Sequence, residues 1–324
     1  MDASDRSLRD IVLGPGRETL RRLRSGTSPT RGEAAPARER VAADPVLRAG
    51  VLYAARHDPR AEDLPLLRFL LECECECESG PGAERFEERW LAAALVAAHG
   101  REEDVALLRT ATSGQVTDSA GAVEWARARQ ESDAEAESEF TWIELARRQG
   151  RIAPARLALI RMLDDAGRDP DRLRKLSRAL EHLGDHAQAT RAQLHLLSLR
   201  HTDRDRAGEE YVLARLERGK GDLGAAGRAL SRARAAVGAR GAPTDGTVAQ
   251  WHRRGLGRMI TEQHLELVIA AVEAGDPELA RQTMTHARRL LDTIGKESAK
   301  ALSRLSTRAK WAVAGLERPH TRTP

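Results

Sequence analysis

Aromatic side chains are scarce in this sequence, at 3% of 324 residues. A core with so few rings has to be filled by Ala and Leu, which suits close helix–helix contact. Strand-length runs of alternating β-branched residues are missing as well. Their absence excludes a sheet as the organising layer and leaves an all-α fold class. No apolar run reaches the roughly 18 residues needed to cross a bilayer, so no membrane partner is expected. The N-terminus lacks the hydrophobic core of a secretory signal, and a cytoplasmic location is therefore expected. The three cysteines (Cys73, Cys75, Cys77) sit within five residues of one another, which excludes a long-range disulfide framework. Lysine is nearly absent, with 5 Lys against 48 Arg. This imbalance reads as the codon bias of a GC-rich bacterial genome, and it discounts the pI of 9.2 as a sign of nucleic-acid binding.

What the chain does have is a recurring helical hairpin. Its clearest copies turn at Gly150, Gly184, Gly221 and Gly275. Five residues after each Gly stands an Ala (Ala155, Ala189, Ala226, Ala280), and seven further on another apolar residue. Gly supplies the left-handed cap that ends one helix, and Ala lets the next helix pack closely against it. The first two glycines lie 34 residues apart, and the pattern resembles the tetratricopeptide repeat (TPR). On that resemblance four hairpins are expected within 136–294, at 136–169, 170–203, 207–240 and 261–294. A helix over Ser298–Leu316 would cap their apolar end. The resemblance also implies a concave groove lined by the first helix of each hairpin. Its register places Arg147, Arg148, Arg174, Arg178, Tyr211, Arg215 and Arg218 on that groove, interleaved with Glu144, Glu181 and Glu262.

Upstream lies another duplication. Asp63-Leu-Pro-Leu-Leu-Arg68 matches Asp104-Val-Ala-Leu-Leu-Arg109 at an offset of 41 residues. A two-helix unit of that length with an acidic start to its second helix is similar to a HEAT repeat, expected over 41–114. Residues 1–40 read as disordered or loosely attached. Residues 115–139 read as a linker helix and an acidic run, Glu131 to Glu139, that is either a linker or the solvated first turn of the next helix. A tail follows from 317.

Few residues suggest chemistry. In a helix Cys73 and Cys77 share a face while Cys75 points away, so the Glu-Cys run is a weak metal candidate. His182 and His186 flank a Gly turn and are read, with His195 and His201, as structural. No phosphate-binding loop, nucleophile elbow or HExxH motif is present, so no catalytic constellation and no cofactor is expected. Charge is unevenly divided. Residues 41–146 carry a net −12 and residues 147–324 a net +13. The expectation is an α-solenoid, HEAT-like then TPR-like, acting as a non-enzymatic interaction module or scaffold. It would grip an acidic peptide or helix through an Arg-lined groove. A regulatory receptor for a signal peptide or small molecule is an alternative class. A nucleic-acid-binding solenoid is another, disfavoured by the lack of paired aromatics for base stacking.

Overall fold

A computed structural model describes residues 7–25, 34–76, 86–136, 139–238 and 255–316. All regular secondary structure among them is helical. The chain divides into two compact units, residues 1–158 and 159–324. None of the described helices is long and apolar enough to cross a membrane.

The N-terminal unit contains α1 (Leu8–Ser25), α2 (Ala34–Ala43), α3 (Pro45–His57), α4 (Leu64–Glu76), α5 (Phe86–Ala97), α6 (Val105–Ala111), α7 (Ser119–Ala136) and α8 (Glu139–Arg148). Helix α3 starts where Asp44 accepts hydrogen bonds from the amides of Val46 and Leu47, with Pro45 at the first helical position. The described part of the N-terminal segment is not loosely attached. Helix α1 packs along α3 and buries Val12, Leu13, Leu20 and Leu23. The signal is visible in retrospect. Leu20-x-x-Leu23-Arg24 repeats the spacing of Leu64-x-x-Leu67-Arg68 and Val105-x-x-Leu108-Arg109, and all six apolar residues are buried.

The structure gives this repeated arginine a use. Arg68 grips Asp104 of the next unit with Nε to Oδ1 at 2.6 Å and Nη2 to Oδ2 at 3.0 Å. Arg24 does the same to Asp63, at 2.9 Å and 2.6 Å. Both aspartates are 3% exposed. A bidentate fork on a buried carboxylate is a strong, directional contact, so each unit is stapled to the one before it. Arg109, the last of the series, donates to the Thr117 carbonyl instead.

Helix α9 (Ile152–Asp164) spans the boundary between the units. The C-terminal unit continues with α10 (Pro170–His182), α11 (His186–Ser198), α12 (Asp203–Lys220), α13 (Leu223–Gly238), α14 (Leu256–Glu273), α15 (Pro277–Leu291), α16 (Lys296–Ala301) and α17 (Ser303–Leu316). Three antiparallel pairs, α10/α11, α12/α13 and α14/α15, stack in chain order. The four turn glycines all have φ between +70° and +89°. Each forms the same double cap, for example Gly184 N to Glu181 O at 2.9 Å and Asp185 N to Leu180 O at 2.9 Å. In the last three copies the next residue is Asp185, Asp222 or Asp276. Its carboxylate caps the following helix by accepting from Gln188, Ala225 or Leu279 N. Gly-Asp thus ends one helix and starts the next in two residues. The first copy has Arg151 in place of Asp.

The first helix of that copy, α8, has contacts within the N-terminal unit. Helix α8 packs on α1 and α3, and its Arg148 pairs with Glu88 of α5. It belongs to the N-terminal unit, so the boundary falls inside α9 and not before residue 136. The acidic run is neither linker nor helix start up to Ala136, because α7 extends through it. The Gly/Pro loop at 238–246 and Trp251 lie outside the described residues, apart from Gly238 at the end of α13. Helix α14 begins at Leu256. The terminal helix breaks at Leu302, and α17 then covers α14 and α15 with Ala309 and Val313 buried. Trp142 is a buried anchor as expected, whereas Trp311 points outward and is 66% exposed.

Candidate functional site

Helices α10, α12 and α14 are the first helices of the three stacked pairs. Their outward residues recur at i, i+4 and i+7: Arg174, Arg178 and Glu181 on α10, and Tyr211, Arg215 and Arg218 on α12. Glu262 and Glu266 follow on α14. Side chains join the three helices along this face. Arg215 Nη2 meets Glu181 Oε2 at 2.7 Å, and Arg218 Nη2 meets Glu266 Oε2 at 2.6 Å. Gln263 Nε2 donates to the same Glu266 oxygen at 2.8 Å. Of the seven residues that the TPR register puts on the groove, Arg215 and Arg218 are thereby tied to the neighbouring first helices.

The structure also corrects what they do. Arg215 and Arg218 are not a free basic surface, because each is held by a carboxylate of the neighbouring first helix. Arg174 pairs with Asp171 at 2.6 Å and approaches Glu209 at 3.5 Å. Arg178 is exposed and forms no ion pair among the described residues, and the same holds for its neighbour Lys175. Arg147 has a carboxylate partner of its own. It lies on α8 in the other unit and bonds Glu144 through two nitrogens, at 2.6 and 2.8 Å. The face is thus a ladder of alternating charge with an unneutralised basic end on α10. Tyr211 is half-buried within it. Burial, with help from Glu262, Glu266 and Glu181, raises its phenol above the usual value, against the opposing pull of Arg215.

The cysteine run resolves differently. Cys73 is buried and Cys75 half-buried on α4, while Cys77 lies outside the described residues. Among the described residues no three metal-ligating side chains converge. Glu74 of that run has a visible task. It is 5% exposed and ion-paired with Arg48, which is fully buried. Arg48 Nη1 also donates to the carbonyls of Val41 and Ala42, at 3.1 and 2.8 Å, and so satisfies the end of α2. Sequence reading passed over both residues because their pairing spans 26 positions.

Of the expected structural histidines, His186 packs against α12. A Cβ placed on Gly219 would come within 2.9 Å of its ring. Among the described residues the imidazoles of His264 and His286 meet, with ring centroids 6.3 Å apart and nearly perpendicular planes. They line a cavity of about 460 Å³ walled by α13, α14 and α15. No spacing in the sequence signals it, since the two lie on separate helices.

No known protein family matches the chain, and no curated protein matches it. Among solved structures it is similar to a protein from work on the computational design of self-assembling cyclic protein homo-oligomers. The identity is 15%, with 95% of this chain and 96% of that chain covered. The TM-score of 0.16 is too low for that likeness to carry an argument.

Proposed function

We propose that the chain is a non-enzymatic interaction module, an α-solenoid whose TPR-like pairs bind an acidic peptide or helix across α10, α12 and α14. The observation that supports this reading is the exposed basic end of the ladder. Arg178 and Lys175 carry uncompensated charge beside Arg174, whose pairing with exposed Asp171 is worth little in water. A ligand carboxylate reaching this end gains a guanidinium fork that no other described group occupies. Further along, Glu181–Arg215 and Arg218–Glu266 are partly exposed. A ligand of alternating charge can exchange with them at small cost. The ladder thus favours an acidic segment followed by mixed charge over a uniformly acidic one.

The test is an affinity capture from the native host, comparing wild type with Arg178→Glu and with Arg228→Gln, which lies off this face. Arg178→Glu should lose the partners while its melting temperature stays within a degree or two, because an exposed substitution shifts stability by about 0.5 kcal/mol or less. Arg228→Gln should keep them. Arg215→Glu is the less informative change, since it sets a second carboxylate against Glu181 and should lower the melting temperature by itself. Retention of every partner by Arg178→Glu would sink the reading.

A further inference from the structure

The cavity between α13, α14 and α15 has features that helix packing alone does not require. Its floor is apolar, formed by Leu230, Leu267 and Leu279. Gly224 and Gly227 on the first turns of α13 keep it open. A Cβ at Gly227 would already press to 3.3 Å from Leu279. Its volume of about 460 Å³ falls within the range of small-ligand sites.

Two deeply buried polar groups line it and are left over by the fold. His264 is 2% exposed, and its Nδ1 lies 2.8 Å from the Ile260 carbonyl. A carbonyl only accepts, so Nδ1 carries the proton and Nε2 is a bare acceptor. Nε2 has no hydrogen-bond partner among the described residues. Thr283 is 4% exposed, and its hydroxyl has no partner among them either. Both residues line the cavity, where these groups are open to a bond from a bound molecule. Burial keeps His264 neutral at ordinary pH, with a pKa pushed down to about 4, so its acceptor role persists there.

The rim supplies charge of one sign. Arg228 is exposed, stands over Gly224 and forms no ion pair among the described residues. Arg232 is committed to Glu210, through contacts of 2.6 and 2.9 Å. Among the described residues no Asp or Glu lines the cavity. A ligand that fits therefore combines three features: an anionic group for the Arg228 fork, an apolar body for the leucine floor, and an O–H donor for His264 Nε2.

We propose that this cavity binds a small hydroxylated aromatic carboxylate, seated with its ring on the leucines, its carboxylate at Arg228 and its hydroxyl at His264 and Thr283. The probe is 4-hydroxybenzoate, titrated calorimetrically into the full-length chain. Benzoate, which lacks the donor, and phenol, which lacks the charge, are the comparators. Saturable binding to one site is expected, with both comparators at least tenfold weaker. Arg228→Gln removes the cation from an exposed position, and Thr283→Val removes the hydroxyl at constant shape. Each should weaken 4-hydroxybenzoate at least fivefold without changing the circular dichroism spectrum. The proposal is overturned by no binding at millimolar probe to folded protein. Equal affinity for benzoate, or indifference to both substitutions, overturns it as well. The cavity does not share residues with the α10–α12–α14 face, so the two tests succeed or fail separately.

Discussion

At the scale of single residues, the tightest geometric demand is where α1 crosses α3. A Cβ built on Gly16 would sit 2.1 Å from the Gly50 carbonyl oxygen and 2.4 Å from its carbon. Both are backbone atoms, so a rotamer change cannot relieve the clash, and the helices must separate. Gly16→Ala should cost about 3 kcal/mol or more, at or beyond the upper end of ordinary overpacking. The reciprocal change is easy. A Cβ on Gly50 meets its nearest atoms, Gly16 Cα and Gln149 Nε2, at 3.6 and 3.7 Å, which is ordinary contact. Gly50→Ala should be neutral or stabilising by up to about 1 kcal/mol, from helix propensity. Chemical denaturation of the two variants checks the asymmetry, and equal losses would mean the crossing is wider than described. The repeat alanines obey the same logic more gently. Ala155, Ala189, Ala226 and Ala280 are all 1% exposed or less, as close packing at the hairpin turns requires.

At the scale of elements, α4 shows how a helix sorts an apparently uniform run. Glu72, Cys73, Glu74, Cys75 and Glu76 alternate in sequence, but a helix advances 100° per residue and not 180°. Only Cys73 and Glu74 turn inward, while Glu72 and Glu76 are exposed. Glu74→Gln should therefore cost about 3–5 kcal/mol, because it removes a buried carboxylate that is ion-paired with the fully buried Arg48. Glu72→Gln and Glu76→Gln should fall within about 0.5 kcal/mol of wild type. Thermal or urea melts of the three variants would decide it, and equivalence among them would remove the structural role assigned to the run.

At the scale of the whole molecule, two compact units with their own cores imply unfolding in more than one step. The C-terminal unit carries an acid sensitivity. His264 ordinarily titrates near 6.5 but is held at about 4 in the fold. Burial is the main cause, and His286 and Arg234 push the same way against the Ile260 hydrogen bond. His286 is itself lowered by burial and by Arg234 and Arg289. The unfolded chain therefore binds the His264 proton more readily. Its contribution to stability is fully present above about pH 6.5 and is lost as pH falls toward 4, by about 3 kcal/mol in total. Scanning calorimetry between pH 7 and 5 should show one transition moving down in temperature, and His264→Phe should remove most of that movement. An unchanged pH slope in the variant would assign the acid response elsewhere.

How far the sequence reached depends on how local each feature is. The all-helical class, the glycine caps at 150, 184, 221 and 275 and the buried alanines were legible. Each rests on spacing within one helix or one turn, which the chain carries wherever it packs. The sequence also held the Leu-x-x-Leu-Arg signal that ties α1 to the repeats, though only the Arg24–Asp63 staple shows what it is for. Tertiary structure decided the remainder. It drew α8 and Arg147 into the N-terminal unit, where Arg148 and Gln149 find Glu88 and the Val12 carbonyl. It neutralised Arg215 and Arg218 with carboxylates 34 and 48 residues away. It also set His264 beside His286 over a leucine floor. The physical reason is common to all three. A charge or an imidazole takes its strength from its neighbours and its burial, and helical period does not encode which distant residues those neighbours will be.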